Sequence, residues 1–229
     1  HELGLAQMIS LSGIYAGQLI AYPISTWIIE HFTWKGVFYF NAVAGFLWIA
    51  VWLVFGSDRP AEVEIRQPVT RTEKPKVPLG ALLSTPAVLA LALAYFFWAY
   101  GLTMVVAWLP TYLVKARGYT IHQMGLVGML PVAGGLIGVL GGGVLSDWLT
   151  KLGISVAWAR KGIPATAIGI SAPFLAIAAT IESPMAAVIA FAVFMLLTTL
   201  GLVAFWSIPV EMNTRLAGSI ASIMNFGGN

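Results

Sequence analysis

Charged side chains are absent from six long stretches of this sequence, which are dominated by apolar residues. Each stretch is 20 to 29 residues long, and together they cover 150 of the 229 residues. An α-helix needs about 20 apolar residues to cross ~30 Å of hydrocarbon, so every stretch is long enough to span a membrane. The stretches are residues 5–29, 36–56, 86–114, 119–146, 162–181 and 184–210.

The pattern within these stretches favours helices over the strands of a membrane barrel. Barrel strands alternate apolar and polar residues over about 10 positions, and these stretches do not. A seventh span begins near Leu216, and the sequence ends at Asn229. We therefore expect an all-α integral membrane bundle with six complete transmembrane helices and the start of a seventh. The first residue is His1 rather than Met, so we expect a fragment of a longer protein.

Composition supports a membrane protein and excludes several other classes. Apolar residues make up 59% of the chain and charged residues 9%, against roughly 25% charged residues in soluble domains. A net charge of +3 comes from too few groups to form a nucleic-acid-binding surface. Cysteine is absent, and the three histidines are far apart in sequence, so we expect neither a metal site nor a cofactor.

The positive residues predict how the chain is oriented. The loops at residues 57–85, 147–161 and 211–215 carry nine Lys and Arg residues, against three in the alternate loops. Positive residues accumulate on the cytoplasmic side, so we expect the first set of loops there.

Loop 57–85 also differs in composition, with nine charged residues and four prolines. Such a segment cannot bury enough apolar area to fold alone. We predict a linker there that separates a two-span part, residues 1–56, from a part with four spans and a truncated fifth, residues 86–229.

Glycine recurs at four-residue spacing in two of the predicted spans. Gly134, Gly138 and Gly142 share one helix face, and Gly13 and Gly17 repeat the pattern in the first span. A face without side chains lets another helix approach closely. The pattern fits either static packing or a surface on which two helices slide.

A candidate conformational latch follows the glycine-rich span. Gly143 precedes Asp147 by four residues, and Lys151, Arg160 and Lys161 follow. The carboxylate could cap a neighbouring helix or pair with a basic residue. A solvated loop with scattered charges would look similar.

Four stretches in order resemble the major facilitator superfamily, and most closely its anion:cation symporter branch. A glycine-rich span with Gly-x-x-x-Asp and a later Arg-Lys is similar to the superfamily's loop signature. The stretches are "AQMISLSGIYAGQLIAYPISTWIIEHFTWKGVFYF", "VAWLPTYLVKARGYT", "GGVLSDWLTKLGISVAWARKG" and "AGSIASIMNFGGN". The resemblance implies twelve helices in two halves, with this chain running from about the fifth helix to the start of the eleventh.

The resemblance also implies a function. The branch transports organic anions such as hexuronates, aldonates and related carboxylates, commonly with protons, by alternating access. Its coupling carboxylates and anion-binding arginine lie mainly in the first and fourth helices, and the six spans here contain no charged residue. We therefore expect a small organic anion and H⁺ as partners of the whole transporter, and no transport by the fragment alone.

Uncharged polar residues in the spans are the substrate-site candidates. By the resemblance, Asn225 of the eleventh helix hydrogen-bonds substrate, and Trp206 of the tenth packs an aromatic ring against it. Asn225 could equally join two helices, and Trp206 could anchor at the membrane interface.

Further candidates lie in the first and third spans. Tyr15 and Gln18 are three residues apart and share a helix face. Tyr95 and Tyr100 are five residues apart, so we expect only one of them to reach a cavity. Each of these side chains could instead serve helix packing.

Several alternatives remain open at this point. Another superfamily member could carry a neutral sugar, a drug or a phosphate ester, and a channel or a non-transporting scaffold is a further possibility. An intramembrane enzyme would need catalytic groups within the spans, and their absence argues against an enzyme. We expect the inner or plasma membrane, a lipid-embedded chain and a monomer.

Overall fold

The computed structural model describes residues 2–56 and 77–228, and the regular elements within these ranges are all helical. A π-helical turn, Tyr112–Ala116, directly extends α4. The α-helices are α1 Glu2–His31, α2 Trp34–Phe55, α3 Leu79–Leu83, α4 Pro86–Thr111, α5 Ile121–Val127, α6 Met129–Lys151, α7 Val156–Thr180, α8 Pro184–Leu200, α9 Leu202–Met212 and α10 Ala217–Gly228.

The predicted all-α membrane bundle is confirmed. Five helical stretches of the described ranges are long and apolar enough to cross a membrane: Trp34–Phe55, Pro86–Ala116, Ile121–Lys151, Lys161–Thr180 and Pro184–Met212. The first predicted span coincides with α1, which has 30 residues. It is not among these five, because polar residues such as Gln7 and Gln18 lower its hydropathy.

Two of the predicted spans are divided into two helices each. The stretch 119–146 forms α5 and α6, which meet at Gly128, and the stretch 184–210 forms α8 and α9, which meet at Gly201. Glycine is a poor helix former, and both breaks occur at a glycine. The side chain of Thr120 forms a capping box with Gln123, which fixes where α5 begins.

Two groups of helices form extensive contacts, α6 and α7 with α8, and α4 with α10. α8 lies between α6 and α7, and α4 packs along α10. α1 crosses onto α5, α6 and α9, while α2 packs on α1 and has no buried residue. Through α1, the two-span part of the chain therefore reaches the helices that follow the linker.

Most of the predicted linker, residues 57–76, lies outside the described residues. Its last part includes the short helix α3. Leu82 is the buried residue of this helix, and α3 packs on α4.

One arginine fastens the end of the π turn to the connection between α7 and α8. The Arg117 guanidinium donates to the carbonyls of Ala178, Ile181 and Glu182 at 2.7–3.1 Å. Its Nε donates to the Tyr112 hydroxyl, which donates in turn to the Ala178 carbonyl at 2.7 Å. Carbonyls at the end of α7 lack helical partners, so this arginine satisfies several of them at once.

Candidate substrate cavity

A cavity of about 370 Å³ lies where α1, α4, α9 and α10 meet. Its wall is mixed, with aromatic rings, two amides and hydroxyl groups, and it contains no charged side chain. The lining residues are Leu11, Ile14, Tyr15, Gln18, Tyr95, Trp98, Ala99, Leu102, Thr103, Val106, Leu202, Trp206, Asn225 and Gly228.

Five of the six substrate candidates named from the sequence line this cavity. Tyr15 and Gln18 enter from α1, Tyr95 from α4, Trp206 from α9 and Asn225 from α10. The structure thus brings together residues that are up to 210 positions apart in sequence.

Tyr100 is the sixth candidate, and it does not line this cavity. It is 62% exposed and lies beside Phe96 on another face of α4. The five-residue spacing from Tyr95 explains the difference, because five residues correspond to about 140° of rotation beyond one full helical turn.

Aromatic rings form the rigid side of the cavity. The Tyr95 ring lies 5.1 Å from Trp98, 5.5 Å from Phe205 and 6.4 Å from Trp206, measured between ring centroids. Trp98 Nε1 donates to the carbonyl of Thr198 on α8 at 2.8 Å. This bond fixes the orientation of the indole, so α8 supports the aromatic wall on the side away from the cavity.

Glycines let two helices approach the cavity closely. A Cβ on Gly228 would lie 2.6 Å from the Tyr95 ring, and a Cβ on Gly135 would lie 2.6 Å from the Tyr15 ring. Gly228 therefore allows α10 to carry Asn225 against α4. Gly135 gives the Tyr15 ring its place on α6.

Gln7 contacts a residue of the cavity wall, and sequence reasoning missed it. Its Nε2 donates to the Trp206 carbonyl at 3.0 Å, and its Oε1 accepts from the Ser207 hydroxyl at 2.6 Å. The helical periodicity of α1 could have identified Gln7, because Gln7, Leu11 and Gln18 lie on one face of this helix.

The three spaced glycines of α6 lie directly against the backbone of α8. A Cβ on Gly134 would meet the carbonyl of Ala192, and one on Gly142 would meet the carbonyl of Leu200. Gly138 lies between them, against the Leu196 carbonyl and the Thr199 hydroxyl. The four-residue spacing on α6 is thus matched by a four-residue spacing on α8.

The structure differs from the expectation at Gly13 and Gly17. Among the described residues, nothing lies within 4 Å of a Cβ built on either glycine. Both lie on the exposed side of α1, opposite the side chains that meet α6. Their spacing therefore marks no close helix contact within the described part of the chain.

Among the latch residues whose side chains the structure describes, no ion pair forms. Asp147 is half-buried and Lys151 is exposed, and neither forms an ion pair among the described side chains. Lys161 instead borders an apolar groove of about 550 Å³ between α4, α7 and α9. Gly143 lies against Met8 of α1, and the side chain of Arg160 is outside the described set.

A comparison with known protein families agrees with this architecture. The family model of the Major Facilitator Superfamily matches residues 1–229. The chain belongs to the Major Facilitator Superfamily. Superfamily members of this kind are transporters and not enzymes, which confirms the prediction that the chain is not an enzyme.

Several curated superfamily relatives are named as transporters of anions. The hexuronate transporter of Bacillus subtilis is 30% identical over 95% of this chain and 53% of its own length. The probable sulfoacetate transporter of Cupriavidus necator is 26% identical over 99% of this chain and 55% of its own length. The D-galactonate transporter of Escherichia coli is 25% identical over 70% of this chain and 42% of its own length. The chain spans about half the length of the curated relatives it matches.

Proposed function

We propose that these residues form part of a secondary transporter that moves small organic anions across a membrane by alternating access, coupled to protons. Sugar acids such as hexuronates or aldonates are the favoured cargo. The observation that carries this proposal is the uncharged polar cavity between α1 and the helices after the linker. Relatives named for hexuronate, galactonate and sulfoacetate transport support the same class of cargo.

The chemistry of the cavity fits the hydroxyl groups of a sugar acid. The Asn225 and Gln18 amides can each donate and accept hydrogen bonds, as can the hydroxyls of Tyr15 and Tyr95. Aromatic rings such as Trp206 offer an apolar face to the carbon skeleton.

The carboxylate and the proton require other groups. A buried carboxylate needs a cation or several donors, and no charged side chain lines this cavity. We infer that an arginine and a titratable carboxylate outside the described residues supply anion binding and proton coupling. A membrane carrying only these 229 residues is then expected to show no saturable uptake of sugar acids.

The absence of charged side chains from the cavity wall also supports the alternative, a transporter of a neutral sugar. A neutral cavity would also accept a neutral sugar, so competition decides between the two cargoes. Excess unlabelled hexuronate is expected to block uptake of labelled hexuronate, while excess of the matching hexose leaves it unchanged. Inhibition by the hexose alone would favour the neutral cargo.

Asn225→Ala tests the site in a full-length transporter that contains these residues. Loss of one buried polar contact to substrate is expected to raise KM about tenfold, equivalent to about 1.4 kcal/mol. Asn41→Ala is the matched control, because Asn41 is exposed and bonds only the Val37 carbonyl of its own helix in the described contacts. Equal KM values for the two variants would remove Asn225 from the site.

Localisation follows the family and the charge pattern. We propose an inner or plasma membrane with loops 57–85 and 147–161 on the cytoplasmic side. Impermeant amine reagents are expected to label Lys151 in inside-out vesicles and not in intact cells. Labelling in intact cells would reverse this orientation.

A further inference from the structure

Gln7 joins α1 to α9 by two hydrogen bonds that the substrate-site candidates do not explain. Its Nε2 donates to the Trp206 carbonyl, and the Ser207 hydroxyl donates to its Oε1. A carbonyl can only accept, so the Trp206 contact fixes which amide atom faces which partner. One side chain of α1 therefore binds two consecutive residues of α9.

The position of this bridge relates it to the cavity. Gln7 lies one helical turn before Leu11 and two turns before Tyr15, both of which line the cavity. At a rise of 1.5 Å per residue, Gln7 lies about 12 Å from Tyr15 along α1. The bridge therefore lies beyond the cavity, toward the end of the bundle where α1 begins, and it holds Trp206 from behind.

The Ser207 end of the bridge is buried. Ser207 is 1% exposed, so its hydroxyl has no ready access to water. A buried polar group that loses its partner costs more than the bond itself contributes, so opening of the bridge is favoured when the Ser207 hydroxyl has a second acceptor. The Val203 carbonyl of α9 lies 2.8 Å from Ser207 Oγ, so the single hydroxyl hydrogen can turn to this carbonyl when α1 leaves.

The contact between α1 and α6, which does not include the bridge, permits movement. Tyr15 lies on Gly135 and Met8 lies on Gly143, so side chains rather than backbone atoms meet the glycines there. Such contacts can shift by small rotamer changes.

We propose that Gln7 is a positioning residue of the transport cycle. Its amide holds α9 against α1, keeps Trp206 in the cavity wall and closes the cavity toward the end where α1 begins. The bridge must open before substrate can leave or enter at that end. This inference rests on the proposed transport function, and it adds a residue that sets when the cavity opens.

Thiol accessibility tests the proposal without requiring transport. Ala99 lines the cavity and is 6% exposed, and the chain has no cysteine, so Ala99→Cys provides a reporter. An impermeant maleimide is applied to right-side-out or inside-out membranes, and mass spectrometry measures modification of the peptide that contains residue 99.

In this background, Gln7→Leu is expected to raise the modification rate about tenfold from the side where α1 begins, equivalent to about 1.4 kcal/mol. The rate from the opposite side is expected to stay the same or fall. In uptake by the full-length transporter, KM is expected to rise while the amount of protein is unchanged. An unchanged rate from both sides, in a variant that reaches the membrane folded, would overturn the proposal.

Two serines give a matched comparison. Ser207 Oγ lies within hydrogen-bond distance of both Gln7 Oε1 and the Val203 carbonyl of its own helix. Ser222 is exposed and donates to the Gly218 carbonyl of its own helix at 2.7 Å. Ser207→Ala is expected to increase labelling and Ser222→Ala to leave it unchanged. Adding Ser207→Ala to Gln7→Leu should have little further effect, because both remove one bridge.

The outcomes separate the two proposals. Equal effects of the two serine variants, or fully additive effects of Gln7→Leu and Ser207→Ala, would contradict the bridge. If Gln7→Leu fails to fold, Ser207→Ala against Ser222→Ala decides. If labelling changes as expected but no sugar acid is transported, the proposed cargo is wrong and the bridge stands.

Discussion

The glycine-rich helix α6 has two faces that contact different partners in different ways. On one face, Gly134, Gly138 and Gly142 meet backbone atoms of α8. On the other, Gly135 and Gly143 meet side chains of α1. The same residue type thus serves two contacts, and the nature of the partner atom distinguishes them.

The difference separates a fixed contact from an adjustable one. Backbone atoms of a helix move only when the whole helix moves, so the contact between α6 and α8 is rigid. Side chains can change rotamer at a cost of about 1 kcal/mol, so the contact between α6 and α1 can adjust. Of the two interpretations of the spacing of Gly134, Gly138 and Gly142, static packing fits their contact with the backbone of α8.

Gly138→Ala should break the rigid contact with the largest effect. The added methyl would meet the Thr199 hydroxyl and the Leu196 carbonyl, and the carbonyl cannot move without shifting α8. We expect a loss of about 2 kcal/mol or more in the free energy of unfolding, despite the better helix propensity of alanine. Denaturant unfolding in detergent, followed by circular dichroism, measures it.

Gly13→Ala is the matched control for that experiment. It makes the same change in a helix where nothing described lies within 4 Å. Its stability is expected to stay equal or to rise by up to about 1 kcal/mol. Similar losses at the two positions would show that the close contact with α8 does not matter.

Thr199→Val tests the polar part of the rigid contact. The Thr199 hydroxyl is fully buried and lies 2.9 Å from the Gly135 carbonyl of α6 and 2.8 Å from the Met195 carbonyl of its own helix. Valine keeps the shape and removes the donor, so we expect a loss of about 1 kcal/mol in the same unfolding assay. Thr180→Val, at an exposed threonine that bonds the Ala176 carbonyl of its own helix, should change little.

The sequence was sufficient for the helical class but not for which glycines form contacts. The length of a stretch without charged residues predicts a span, because every helix needs about 20 apolar residues to cross the hydrocarbon core. Glycine spacing alone does not reveal the partner, and for this reason Gly13 and Gly17 looked like Gly134 and Gly138. The atoms around each glycine in the structure show that Gly13 and Gly17 lie on an exposed helix face and that Gly134 and Gly138 lie on α8.

The candidate site shows the same limit. Polarity within a span selected Asn225, Gln18 and Tyr95, because a polar group in lipid usually finds a cavity or a partner. It also selected Tyr100, since sequence gives no absolute rotation of α4. Gln7 was missed because its role depends on two residues 199 and 200 positions away.

Gly135→Ala should sharpen the comparison by affecting the cavity more than the fold. The new methyl would lie 2.6 Å from the Tyr15 ring, and the ring can turn away into the cavity. We expect a rise in KM of about fivefold, equivalent to about 1 kcal/mol, with a smaller change in unfolding free energy. A loss of stability equal to that of Gly138→Ala would mean that both faces of α6 are equally rigid.

Gly143→Ala should have the smallest effect, and its sign is the informative result. A methyl there would lie 3.0 Å from Met8 Sδ and 3.3 Å from Met8 Cβ. Methionine is unbranched and has several rotatable bonds, so its sulfur can move by the few tenths of an ångström required. Because alanine gains about 1 kcal/mol of helix propensity over glycine, we expect unfolding free energy to stay within about 0.5 kcal/mol of the parent.

Met8→Val, which places a branched and stiffer side chain at the contact, should remove this tolerance when it is combined with Gly143→Ala. If Gly143→Ala alone destabilises as strongly as Gly138→Ala, then Met8 does not yield, and α1 is held on α6 as firmly as α8 is.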